Sequence, residues 1–554
     1  MQKAVHQTTT SPATSRWFIL LLFVLYIVVL LPLSRDVLRS AYRFTIAIQS
    51  QPSSRYPSIW YPELVCRGSF SSTSSPHSNA SFPEAVLRDA YLDRRPASLR
   101  QAFGKHGPLP KQRVVLAISA HLSVRLEESE ATVRLANAPN VRVSIDDVRE
   151  IESTSKEKAF EYAPGRTTKR GHEVAEWQVI ITLRSTYFRR DFEQHLRNLA
   201  GDPLVQLKLQ LSLSHFDGNN STFEPRLSLG CIFGWDVPEI IQRHAPADID
   251  RLQQPSSAVL LCANSLSGNK KLQNRSHAEV AHWAARALRG PVRFDIVVLP
   301  VIVDISAAEC SPNDLHCFED TSRTNSVLFN SLAKNVAQEL QRIGVAEEVF
   351  ERVVLIPFCR LGAHVLGFEH NNPCSGSQRY GQIQVTFMPY SVLAKYFKWA
   401  SMYDLDEYIA PHHEKGVASP LNTNASDLFD HILHENYHIK SPAFVIPWLN
   451  FRIRRQDLVN ITHELMHGVT PVLVSPSNGD TNCYRLPRHR IGKAVVRYDV
   501  GLGFSIHQPI VQIPGMGLQH NRKETRVDSM DIRVWHARLY KNRFSNCSFV
   551  ATTL

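Results

Sequence analysis

None of the nine cysteines forms a CxxC pair, so the chain lacks the spacing of a structural zinc framework. No zinc-finger or RNA-recognition signature accompanies its formal net charge of +11. Lys and Arg are spread along the chain instead of gathered, which argues against a nucleic-acid partner. No charged residue interrupts Trp17–Leu33, and no small-x-small cleavage pattern follows it cleanly. No cysteine and no N-x-S/T sequon precedes that run.

Trp17–Leu33 is an apolar stretch of 17 residues. As a helix it spans about 25 Å, enough for a thin bilayer. It reads as an uncleaved signal-anchor, a single transmembrane helix over 17–33. Lys3 and Arg16 lie before it and Arg35, Arg39 and Arg43 after it, so flanking charge does not set its orientation. The sequons do: Asn79, Asn219, Asn220, Asn274, Asn424, Asn460 and Asn546 all follow the run. The cysteines follow it too, as in an oxidising lumen, where Cys310–Cys317 and Cys359–Cys374 are candidate local disulfides. The expectation is a single-pass type II membrane protein with a cytosolic tail at 1–16.

Gly68–Pro83 is rich in Ser and Pro, and a stem is expected over 34–110. From there to about 250 the pattern changes. Arg113–Leu126, Glu176–Leu183 and Leu204–Ser214 alternate apolar and polar residues, which predicts a β-rich, sandwich-like module over 111–250. From 256 the rhythm becomes strand–helix–strand. Ala258–Leu266 reads as a buried strand. Ser276-x-x-Glu279 is a capping box for a helix that Gly290-Pro291 ends. Strands follow at Arg293–Val303 and Arg352–Phe358, with helical spacing over Asn325–Gly344 and over Gln382–Trp399, where Pro389 is a kink or break. This alternation predicts an α/β, Rossmann-like domain over 256–545, with a mostly parallel sheet covered by helices on both faces. Ligands of such sheets bind beyond the carboxyl ends of the strands.

At one such end stands YDLDEYIAP. In an extended segment Asp404 and Asp406 project to one face. Two carboxylates at a strand end suit Mn²⁺ or Mg²⁺, which take oxygen ligands and leave positions open for phosphate. Asp406 is the favoured direct ligand. Asp404 is a second ligand, or meets a ribose, or acts through water. Glu407 alternates to the other face.

Asp404-Leu405-Asp406-Glu407 followed by an aromatic, Ile and Pro resembles the metal motif of glycosyltransferase family 92, enzymes of GT-A fold. The resemblance covers roughly 256–545. Cys359–Asp404 is similar to the family's approach to that motif, with Gln384 and Trp399 at fitting places. Ser441–Phe451 is similar to its aromatic acceptor-side strand, and Lys493–Pro509 and Val534–Arg543 to its two C-terminal blocks, each with a His. The resemblance implies transfer of a hexose, galactose above others, from UDP-galactose or another UDP-hexose to a glycan acceptor. It implies inversion to a β linkage and a Golgi membrane enzyme whose catalytic part is luminal. His536, and after it His507, would complete the metal sphere. Arg538 would hold a phosphate oxygen. Inversion needs a general base, for which Asp457 and Glu464 are candidates.

Two rivals stand beside this reading. His463-Glu464-Leu465-Met466-His467 matches the HExxH signature of zinc metalloproteases. The longer metzincin form would need glycine and histidine where this chain has Thr470 and Leu473. The other rival is a non-catalytic luminal glycan-binding protein, which the complete acidic motif argues against.

Overall fold

The computed structural model describes residues 56–60, 68–73, 85–95, 111–121, 124–153, 174–186, 191–244 (without 203, 216, 217 and 219), 257–263, 270–302, 315–358, 382–411, 422–435, 443–453, 455–466, 471–474, 484–485, 492–498, 501–504, 509–513, 517–519, 532–539 and 548–551. The 17–33 segment, His507 and the cysteine pairs proposed as disulfides lie outside these residues or have no described side chain. No helix among the described residues is long and apolar enough to cross a membrane.

A short strand, β1 (Ser58–Ile59), precedes eight strands in two antiparallel four-stranded sheets. These are β2 (Gly68–Thr73), β3 (Ala85–Asp93), β4 (Lys111–His121), β5 (Val124–Ala136), β6 (Val141–Ser153), β7 (Val174–Ser185), β8 (Gln206–His215) and β9 (Asn220–Ser228). One sheet runs β2-β9-β8-β5 and the other β3-β4-β7-β6. In β8, Leu207, Leu209, Leu211 and Leu213 are buried while the residues between them reach solvent, the mark of a strand covered on one face. Those leucines meet Leu116, Ile118, Val179 and Ile181 of the second sheet in one apolar core. The helix α1 (Phe192–Ala200) adds Phe192, Leu196 and Ala200 to it.

The stem expected over 34–110 is interrupted by β1, β2 and β3. The Ser-rich β2 is an edge strand paired with β9. Its pairing runs through backbone groups, so a polar composition does not prevent it.

Among the described residues, β1 and strands from 258 onward form a ten-stranded sheet. Its main elements are β10 (Ala258–Cys262), α2 (Lys270–Arg289), β11 (Ile296–Ile302), α3 (Leu315–Arg342), β12 (Val353–Phe358), α4 (Gln382–Leu393), β13 (Trp399–Tyr403), β14 (Glu407–Pro411), α5 (Ala425–Glu435), β15 (Ala443–Ile453), α6 (Arg455–Met466), β16 (Gly492–Arg497) and β17 (Ile532–Leu539). The order is β1-β12-β11-β10-β13-β16-β15-β17-β14, with Tyr484–Arg485 beside β15. From β1 to β13 all neighbours are parallel. β16 runs antiparallel to both β13 and β15. Pro389 sits inside α4, which stops at Leu393 instead of continuing to Trp399.

The central strands are apolar on both faces, as buried parallel strands are. In β10, Ala258, Leu260 and Cys262 face the core formed with α2, α3 and α5, while Val259 and Leu261 face a second core. The sequence pattern predicts helices over both faces. On the second face α4 is joined by the β3-β4-β7 sheet, through Tyr91, Val115, Ala117 and Ile180. The reason is local: Val114-Val115-Leu116-Ala117-Ile118 of β4 is apolar on both sides and is buried on both. A backbone bond from Arg94 N–H to Ser391 O of α4 (3.0 Å) seals the contact.

Candidate functional site: an acidic turn at the division of the sheet

β13, Trp399-Ala400-Ser401-Met402-Tyr403, is buried throughout. It lies between β10 and β16, and Ala263 N–H bonds Tyr403 O across the β10 end (2.9 Å). After β10 the chain winds outward through β11 and β12, then returns to the other side of β10 as β13. This is a topological switch point, where neighbouring strands send their connections to opposite sides and leave a crevice beyond their carboxyl ends. Asp404 is the first residue beyond β13.

The sheet also divides here. β15 pairs with β16 over Ala443–Pro447 and with β17 over Trp448–Ile453. β13 belongs to the first part and β14 to the second, and Asp404-Leu405-Asp406 connects these two strands. Glu407 N–H closes the turn on Asp404 O (3.0 Å). The Glu407 carboxylate accepts from Asp404 N–H at 2.7 Å.

Two buried cations hold this turn. Lys493 is fully buried, and its Nζ lies 2.8 Å from Asp404 Oδ2 and 3.0 Å from Glu407 Oε2. Burial alone would lower its pKa, but Glu407 and Asp404 outweigh that and hold the ammonium above the ordinary lysine range. Gly492 allows Lys493 to sit there. A Cβ at 492 would stand 2.1 Å from Ile446 O, so only glycine permits this approach of β16 to β15. The second cation is Arg286 of α2, also buried. Its Nη2 donates to Leu405 O (3.1 Å) and its Nη1 to Thr462 Oγ1 of α6 (2.9 Å). The guanidinium lies 5.0 Å from the Tyr408 ring centroid. Burial pushes its pKa down to about 10 against the pull of Tyr408 and Asp406.

The residues singled out from sequence fall as follows. Asp404 and Asp406 are half-buried on the turn. The backbone of His536 is paired with Glu407 on one side and Asn450 on the other, which puts this residue of β17 beside the turn. Arg538 is two residues further along β17, opposite Arg452. Asp457 and Glu464 lie on α6. Burial raises the pKa of Glu464, His463 opposes it, and Glu464 is within electrostatic reach of Tyr408. Of the HExxH residues, His463 is exposed and His467 lies outside the described residues, one beyond the end of α6. Among the described residues no three His, Cys, Asp or Glu side chains gather as a metal-binding group.

Neither Lys493 nor Arg286 is singled out by sequence motifs. Their signals are faint: a lysine at the head of the apolar run Ala494-Val495-Val496, and an arginine three residues after Trp283 on the buried face of α2.

The donor set suits a hard divalent cation. The accessible carboxylates are those of Asp406 and Asp404, whereas Glu407 is fully buried against Lys493. Oxygen donors at an open strand end fit Mn²⁺ or Mg²⁺ with positions left for phosphate. The chain matches no family model and no curated protein.

Proposed function

We propose that this chain is a metal-dependent glycosyltransferase of GT-A type. It transfers a hexose from a UDP-sugar to a glycan acceptor with inversion, and galactose is the sugar by the resemblance to family 92. The observation that carries the reading is the place of Asp404 and Asp406: directly beyond β13, at the switch point beside β10, on the turn that joins the two parts of the sheet. A nucleotide lying across the ends of β10 and β13 brings its diphosphate to these carboxylates. A bound Mn²⁺ or Mg²⁺ would be held by Asp406 with help from Asp404, and would offset charge on the leaving diphosphate. His536, paired in register with Glu407 at the end of the turn, is assigned to the same site. Arg538, on the same strand, is assigned to phosphate, and His507 stays a second candidate ligand.

The acceptor side falls to β15 and α6, which flank β17 and bond Arg286 respectively. Glu464, whose pKa is raised by burial, and Asp457 are both assigned as candidates for the base that takes the acceptor hydroxyl proton. The protein is assigned to the Golgi membrane, anchored by 17–33, with the catalytic part in the lumen.

The test is a screen of UDP-hexoses with the full-length protein in detergent, with Mn²⁺ and with EDTA, reading UDP release and transfer to glycan acceptors. Turnover is expected with Mn²⁺, lost in EDTA and in Asp406→Ala. A donor turned over equally in EDTA, or an active Asp406→Ala protein, would overturn the metal role. Zinc-dependent peptidase activity lost in Glu464→Gln would overturn the whole reading.

A further inference from the structure

We propose that Lys493 is a positioning residue of the cation site, one that locks Asp404 and Glu407 together so that the turn carrying Asp406 has its working shape before any ligand arrives. The inference rests on the transferase reading above.

Three features of its surroundings carry it. The ammonium is fully enclosed, so it cannot itself reach a nucleotide; it touches two carboxylates of the turn and lies 5.7 Å from the Trp448 ring centroid. Those carboxylates stand at the two ends of the turn, Asp404 at the exit of β13 and Glu407 at the entry of β14. One cation therefore pins both ends, while the Glu407 carboxylate also takes Asp404 N–H. The approach of β16 that delivers Lys493 has a steric requirement of its own, the glycine at 492. A lysine placed only to neutralise Glu407 would not need to reach Asp404 at 2.8 Å as well.

Charge and position can be separated. In the native turn, Asp404, Asp406 and Glu407 against Lys493 leave two net negative charges. The double variant Lys493→Met/Glu407→Gln also leaves two, from Asp404 and Asp406. The glutamine carbonyl can still accept from Asp404 N–H. Replacing both members of a buried ion pair by neutral groups of similar volume is often neutral for stability, whereas Lys493→Met alone strands the Glu407 carboxylate. The net charge of the turn is thus unchanged in the double variant, while the grip on Asp404 is lost together with the contact to the Trp448 ring.

The experiment measures Mn²⁺ binding to the full-length protein in the presence of UDP, by the electron paramagnetic resonance of free Mn²⁺, with thermal unfolding in parallel. No turnover is needed. Groups that orient metal ligands are worth about 10–100-fold in affinity, so the double variant should bind Mn²⁺ that much more weakly at an unchanged melting temperature. Native affinity in the double variant would overturn the proposal and leave the transferase reading standing. A large fall in its melting temperature would also overturn it, marking Lys493 as a stability element. Absence of Mn²⁺ binding in the native protein with UDP would overturn both.

Discussion

Arg286 gives the sharpest test of how the acidic turn is held. Arg286→Met removes a buried guanidinium that bonds Leu405 O and Thr462 Oγ1 and stacks on Tyr408. Each hydrogen bond from a charged donor is worth about 1.5–3 kcal/mol and a desolvated ring contact about 2 kcal/mol. Against this stands the relief of no longer burying a charge, several kcal/mol in its own right. A net destabilisation of about 2–4 kcal/mol remains. The functional loss is of a different kind. Leu405 lies between Asp404 and Asp406, so releasing its carbonyl loosens both carboxylates and lowers Mn²⁺ affinity with UDP by about 10–100-fold. Arg286→Lys separates charge from shape. It keeps the cation but loses the planar fork that serves two acceptors from two nitrogens. We expect Arg286→Lys to fall close to Arg286→Met in Mn²⁺ binding while melting nearer to the native protein. Native Mn²⁺ affinity in Arg286→Lys would show that the fork does not hold the turn.

Two further outcomes follow from the packing. The β-rich part shares a core with the large sheet through Tyr91, Val115, Ala117 and Ile180, so deleting residues 111–250 should leave an insoluble or protease-sensitive remainder. Recovery of a cooperatively melting 256–554 fragment would show that the two parts are separable. Asp93 is fully buried between Arg95 (2.8 Å) and Arg113 (3.3 Å). Burial would raise its pKa, but the two arginines prevail and hold the carboxyl below its ordinary range. Its contribution is therefore complete above the unfolded value of about 3.9 and is lost as pH falls below it. Asp93→Asn should cost about 3–5 kcal/mol at neutral pH and flatten the acid limb of the melting-temperature profile. An unchanged acid limb would show that other carboxylates govern it.

Some of this molecule is legible in the sequence. The strands β10, β11 and β12 announce themselves as short apolar runs between helical stretches, and the one-sided alternation of β8 is a period of two. The acidic motif is equally plain, because its residues are neighbours in the chain. The edge strand β2 is not legible, since its backbone pairing with β9 imposes no side-chain pattern. Nor is the burial of β4 on both faces distinguishable from a half-exposed strand until its second partner is known. The same holds at the site. Local spacing marks Asp404 and Asp406, but the two cations that hold them come from 89 and 119 residues away in the chain, on β16 and α2. Short-range periodicity carries no information about which buried charge meets which. The composition of the acidic turn was determined by the sequence alone, and its shape by the tertiary packing that brings Lys493 and Arg286 to it.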